Sequence, residues 1–138
     1  MKRIFSIFGL ALLMVLVTGV LTAAAPIPNV TFNLVQGLPS TMNIGDTYTV
    51  VVDVTSDTPY NTVIALPSFQ YPGKGVVAVQ GGDHAGSGTS ATLEVTFTAK
   101  SDTLRMANNQ AVVHMVVGAR FQGGYVASQD FVFYVTVP

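Results

Sequence analysis

Apolar and polar residues alternate through 47–55. Tyr48, Val50, Val52 and Val54 fall on one side, and Thr47, Thr49, Asp53 and Thr55 on the other, where Val51 is the one apolar residue. A period of two marks a strand with one buried face, because successive side chains leave the pleat in opposite directions. Gly45-Asp46 just upstream is turn chemistry from which the chain enters that strand. The alternation returns at 91–99, with Leu93, Val95 and Phe97 inward and Thr92, Glu94, Thr96 and Thr98 outward.

Five further segments are predicted to cover these faces. Residues 29–35 place Val30, Phe32 and Leu34 on one side. Residues 110–118 do the same with Ala111, Val113, Met115 and Val117, and 131–137 with Phe131, Phe133, Val135 and Val137. The mixed apolar stretch 61–69 carries Pro67, which predicts an edge position or a bend, and 76–80 is a short strand. Turn-rich connectors lie between: 36–46, 56–60, 71–75, the glycine-rich 81–90 and 119–127 with Gly123-Gly124. About seven short strands with no helical period beyond residue 25 predict an all-β, immunoglobulin-like sandwich over 29–138. Two sheets packed face to face bury every apolar side at once.

The first residues read differently. Met1-Lys2-Arg3 is a basic start, 4–21 an apolar run, and Thr22-Ala23-Ala24-Ala25 a small-residue tail. That order predicts a secretory signal helix over 1–24, cleaved after Ala24, since a cut after Ala25 leaves Pro26 at the new N-terminus. An uncleaved anchor is the alternative, because the run approaches the roughly 20 residues that span a bilayer. Either way, the rest of the chain is expected outside the cytoplasmic membrane, secreted or at the cell surface. Pro26-Ile27-Pro28 makes 25–28 a stiff spacer.

Composition narrows the chemistry. Lys2 and Arg3 lie in the leader, so four cations stand against seven anions beyond it, a net of −3. Scattered charge of that sign offers no footprint for a nucleic-acid backbone. Cysteine is absent, which removes disulfides, thiolate zinc sites and a Cys nucleophile. Tryptophan is absent as well, so the Cys…Trp…Cys pattern of antibody domains does not occur and any likeness to them concerns architecture. Ile44-Gly45-Asp46-Thr47-Tyr48-Thr49-Val50 and Leu93-Glu94-Val95-Thr96-Phe97-Thr98-Ala99-Lys100 nevertheless resemble phrases of bacterial secreted immunoglobulin-like and cohesin-like modules, a likeness covering roughly 45–100. It implies a sandwich of that type acting as a cell-surface or matrix module.

In the common sandwich connectivity the connectors 56–60, 81–90 and 119–127 gather at one end. That end would present Asp57, Tyr60, Asp83, His84, Ser87, Arg120, Phe121, Gln122 and Tyr125, of which Tyr60, Asp83, His84, Arg120, Phe121 and Tyr125 are the candidate binding residues. Aromatic and Arg side chains on loops are typical contact groups. The plainer alternative is a set of hairpin turns whose aromatics cap the core. The leader would emerge at this same end. The opposite end offers Asn43, Tyr71, Lys74, Lys100 and Asn108.

Catalytic and metal chemistry finds little support. Asp83, His84 and Ser87 have the residue types of a hydrolase triad, yet a triad converges from separate segments and no G-x-S-x-G elbow is present. Lys74 is followed by Gly75, which excludes a P-loop. His114 with Met106 and Met115 lacks a close copper-ligand spacing, and of Asp46, Asp53 and Asp57 the second lies on a strand face and the first at the far end, so they should not converge on calcium. Asn29-Val30-Thr31 is a glycosylation sequon, relevant only in an organism that uses it.

No cofactor and no enzymatic activity are expected. The expectation is a module for extracellular recognition or adhesion of a protein or glycan, carbohydrate binding included. The alternatives are a structural subunit that self-associates by edge-strand addition and an accessory domain of an extracellular enzyme system. A subunit lending its first strand would suit the spacer before 29–35, though self-insertion is the ordinary outcome. Mass spectrometry of the exported protein is expected to find Ala25 at the N-terminus; an intact Met1 on membrane-bound material would establish the anchor instead.

Overall fold

A computed structural model describes residues 25–68 and 75–138. The signal helix expected over 1–24, together with Tyr71 and Lys74, lies outside the described residues. Eight strands are present among them: β1 (Val30–Gln36), β2 (Thr47–Tyr60), β3 (Thr62–Ser68), β4 (Val76–Ala78), β5 (Asp83–Ala85), β6 (Gly88–Ala99), β7 (Ala111–Arg120) and β8 (Val126–Val135). They form two four-stranded antiparallel sheets, ordered β1-β2-β6-β4 and β5-β3-β7-β8. No described helix is long and apolar enough to cross a membrane.

The alternation read along 47–55 sets the register. Val50 lies opposite Val95 and Val52 opposite Leu93, so apolar side chains of β2 and β6 share one face. Cross-strand apolar pairs of this kind are the unit of sheet stabilisation. Val63 and Ala65 of β3, Val113, Met115, Val117 and Ala119 of β7, and Phe133 and Val135 of β8 form the facing surface. All are buried, and full burial of a Val, Leu or Met side chain contributes about 1.5–3 kcal/mol. The described core residues lie between Val30 and Val137.

Where the structure departs from the pattern, the backbone explains it. The glycine-rich 81–90 was expected to be a loop, but Asp83–Ala85 adds to the edge of β3 as a short strand. Gly82 makes this possible: its φ is +138°, and a Cβ there would sit 2.4 Å from the Ala65 carbonyl oxygen. Asp83 then joins the two sheets, its Oδ2 accepting a hydrogen bond from Glu94 N of β6 at 2.8 Å and its Oδ1 one from His84 N at 2.9 Å. β2 runs on through the expected turn to Tyr60, and β8 begins at Val126 rather than Phe131. Leu34 is half-exposed, because β1 is an edge strand and its pairing with β2 shifts between Leu34 and Gln36. Pro67 lies past the end of β5, where β3 has a neighbour only in β7, the edge position a residue without an N–H favours.

Two crossings tie the sandwich shut. β1 pairs with β2 of its own chain, and the segment after it crosses to the other sheet, where Thr136 N donates to Ser40 O and Met42 N to Thr136 O. At the same end, the connector 100–110 is anchored by Thr103, the one buried polar residue among the described residues. Its hydroxyl donates to Asn109 O at 2.8 Å and accepts from Val137 N at 2.8 Å. Replacing a hydroxyl in such a place leaves buried backbone groups unpaired, at about 1–3 kcal/mol. Thr103→Val is therefore expected to lower the free energy of unfolding by that amount in urea titration, whereas the exposed Thr55→Val should change it by less than about 0.5 kcal/mol.

Candidate functional site

Three connectors meet at one end of the sandwich. Asn61 turns β2 into β3, Gly88 lies opposite Tyr60, and Arg120 lies opposite Thr62 at the start of the β7–β8 turn. That turn is tight: Phe121 N donates to Tyr125 O and Gly124 N to Phe121 O. Three rings are brought together here, Phe121 lying 6.4 Å from Tyr60 at a steep angle and 5.8 Å from Tyr125.

Burial decides what these rings can do. Tyr60 is 1% exposed and Phe121 3%, so both belong to the core and neither presents its ring to a partner. They close the end of the sandwich, which explains why β2 continues to Tyr60 instead of turning earlier. Tyr125 is 41% exposed and rests against Phe121. Gln122 and Arg120 are exposed, Arg120 on the outer face of β7. The spacer 25–28 passes beside them, forming with Thr58, Pro59, Phe121, Gln122, Gly123 and Tyr125 an open cleft of about 470 Å³.

Asp83 and His84 do not join this group. They sit on β5 opposite Ala65 and Ile64, further along the sheet, and Asp83 is occupied by its backbone hydrogen bonds. Ser87 lies past the end of β5, at the cleft end, so the three triad-type residues do not converge. Asp46, Asp53 and Asp57 are likewise separate, bonded to Asn43, Thr92 and Asn29 respectively. No group of three His, Asp or Glu side chains that could hold a metal occurs among the described residues. Met115 is buried and points away from His114, which lies on the opposite face of β7.

The outer faces of the two sheets differ sharply. That of β1-β2-β6-β4 carries Thr31, Asn33, Thr49, Asp53, Thr55, Thr92, Glu94 and Thr96, with hydroxyl and carboxylate pairs such as Thr92 Oγ1 donating to Asp53 Oδ1 at 2.6 Å. The outer face of β5-β3-β7-β8 sets apolar residues among Thr62, Ser68, His84, His114, Arg120, Ser128 and Asp130. Ile64, Leu66, Val116, Val126, Val132 and Tyr134 are all exposed there, with Tyr134 at 58% and Leu66 at 47%. Its polar centre is a pair: His114 Nδ1 and Asp130 Oδ2 lie 2.7 Å apart, while His114 Nε2 is enclosed and has no hydrogen-bond partner among the described residues. Gly118, which carries no side chain, is the row partner of Ile64. The sequence signal for this face was present in the off-phase apolar residues of 61–69 and 110–118, but a pattern reading gives priority to the buried phase.

No protein-family model and no curated protein sequence matches the chain. Among solved structures, it is similar to native α2-macroglobulin from Escherichia coli, spanning domain MG7 to the C-terminus, at 19% identity and a TM-score of 0.51 over 83% of this chain. The chain spans 17% of the length of that protein. Weaker likenesses include the sporulation control protein Spo0M from Bacillus subtilis, at 17% identity and TM-score 0.43, covering 83% of this chain and 51% of that one. The secreted serine protease VesC from Vibrio cholerae follows at 13% and 0.39, covering 78% and 23%. At these identities the first likeness concerns the fold alone.

Burial pushes the Tyr60 phenol above its ordinary 10.0. The folded state then keeps a proton that the unfolded chain releases, so stability is fully present below pH 10.0 and falls as pH rises past it. Tyr60→Phe is expected to reduce this alkaline loss in unfolding titrations between about pH 9 and pH 11; an unchanged slope would place the phenol in water. Tyr60→Ala and Phe121→Ala should each cost about 3–5 kcal/mol, the response of core rings rather than contact residues.

Proposed function

We propose that this chain is a non-enzymatic, immunoglobulin-like module for recognition or assembly outside the cytoplasmic membrane, and that it engages its partner through the outer face of the β5-β3-β7-β8 sheet. The observation that carries the reading is the contrast between the two outer faces: one is covered mainly with Thr, Asp and Glu, while the other exposes Ile64, Leu66, Val116, Val132 and Tyr134 among its polar residues. Contiguous exposed apolar surface on a small domain marks an interaction site. The aliphatic character of the face favours a protein partner over a glycan, which binds through polar groups and stacked rings.

Two further features support the reading. The basic start, apolar run and small-residue tail of 1–25 favour export. The strand order suits an immunoglobulin-like connectivity: β1, β2, β6 and β4 take the places of strands A, B, E and D, and β3, β7 and β8 those of C, F and G. β5 departs from that scheme, since it lies beside β3 yet follows β4 in the chain. Assembly by edge-strand addition is the second reading. β8 favours it, a ten-residue edge strand with no Pro or Lys to blunt it.

Fluorescently labelled 25–138 is expected to bind envelopes of the producing cells. Leu66→Lys and Val132→Lys should each weaken binding about tenfold or more, as loss of a central apolar contact does. Thr55→Lys on the other sheet should leave it unchanged. Binding that survives both face variants and is lost with Gln122→Ala or Tyr125→Ala would move the site to the loop end.

A further inference from the structure

We infer that the free edge of β8 is a docking site for an extended segment of a partner protein, which adds antiparallel to 126–134 and sets a Lys or Arg opposite Asp130. The inference rests on the second reading above, assembly at a strand edge. It adds which edge takes the strand and what chemistry that strand carries. Three features of β8 support it: an open backbone, an apolar inner side and a single charge.

The open backbone is read from Thr136. Its N–H donates to Ser40 O and its carbonyl accepts from Met42 N, so both groups point away from β7. Alternate residues of a strand direct their N–H and C=O to opposite edges. Val126, Ser128, Asp130, Val132 and Tyr134 share the phase of Thr136, and on that side their backbone groups have no backbone partner among the described residues. The row ends where the Ser40–Met42 segment takes up Thr136. The other edges are less open: β4 and β5 have three residues each, and β1 shifts register between Leu34 and Gln36. β8 pairs with β7 without a shift from Val126 to Val135 and contains neither Pro nor Lys. A long, regular edge of this kind is a template for another strand.

The inner side of an added strand meets apolar surface. β1 and β8 are edges on the same side of the sandwich, since a Cβ on Gly37, just past β1, would lie 2.8 Å from the Phe133 ring. Phe32 of β1 and Ala127 and Phe131 of β8 are half-buried against the core, and Leu34 is exposed beside them. Apolar residues at alternate positions of the incoming strand cover this seam and remove it from water.

Charge selects the partner. Asp130 is the one charged residue of β1 and β8. Its side chain is 45% exposed; Oδ2 lies against His114 Nδ1, and Oδ1 has no hydrogen-bond partner among the described residues. An antiparallel strand that uses the whole of 126–134 has its middle residue opposite Asp130. A second β8 laid there would set Asp130 against its own counterpart. Like charges directly opposite are destabilising, whereas an opposite-charge pair stabilises the ladder. The edge therefore discriminates against its own sequence and in favour of a strand with a central cation.

Two synthetic peptides test this, one with the sequence of residues 126–134 and one carrying Asp130→Lys within it. The purified protein is expected to bind the Lys peptide about tenfold more tightly than the Asp peptide in fluorescence anisotropy. The difference should shrink as salt is raised. With the Lys peptide bound, hydrogen exchange should slow at the amides of Ser128, Asp130 and Val132 of the protein. It should stay unchanged at Ala127, Gln129 and Phe131, which face β7. N-methylation of the Lys peptide at its positions 128 and 132 should abolish binding by removing donors to the edge, whereas N-methylation at 129 and 131 should not. Equal binding of both peptides with the same amides protected overturns the basic partner and keeps β8 as an assembly edge. Failure of both peptides to bind, or protection away from β8, overturns the inference and removes β8 from the assembly reading. Neither result bears on the outer face, whose own test is the loss of envelope binding in Leu66→Lys.

Discussion

The structure depends on two apolar sheet faces hiding each other from water. With no cysteine to cross-link the chain, the β2–β6 face and the β3–β7–β8 face must supply the stabilisation through burial. Strand spacing and the period of two make this possible, since every second residue of each long strand reaches the same plane. Small residues such as Ala65, Ala111 and Ala119 stand among the valines, and the larger Met115, Leu93 and Phe97 interleave with them. The rings of Tyr60 and Phe121 seal one end of the layer, and Met42 with the Thr103 hydroxyl network closes the other.

Packing two layers creates a second problem, the polar backbone at the ends and edges. The chain solves it with side chains and crossings rather than with more strands. Asp83 reaches from β5 to an N–H of β6 past the end of β4. Thr103 satisfies groups of both its own connector and Val137, just past β8. The Ser40–Met42 segment bonds to Thr136, so the chain after β1 belongs to both sheets. These contacts are few, yet each lies where an unpaired buried group would be costly.

The outer faces carry what the core does not decide. Either side of a sandwich can face water provided it is polar, and the β1-β2-β6-β4 side meets that condition with its threonines and carboxylates. The other side does not, and its exposed aliphatic rows gain free energy from being covered. The net charge of −3 beyond residue 25 is spread over scattered side chains and sets up no strong single-sign field.

Alternation along 47–55, 91–99 and 110–118 was enough to identify the inward residues except Tyr48, which is exposed at the start of β2, since hydrophobic periodicity is local and a one-residue slip would expose the buried set. It also placed the turn at Gly45, whose φ of +93° suits glycine. The ends of strands were not legible: whether Tyr60 ends a strand or begins a loop depends on Gly88 and Phe121, which are distant in sequence. For the same reason the six candidate contact residues divided, with Tyr60 and Phe121 in the core, Asp83 bonded between the sheets, His84 on the edge strand, and Arg120 and Tyr125 exposed near the turn. The apolar face of Ile64, Leu66, Val116, Val132 and Tyr134 emerges only when three strands from separate parts of the chain lie side by side. Each contributes one or two residues that look incidental in sequence, and their contiguity is a property of strand order, which no local pattern encodes.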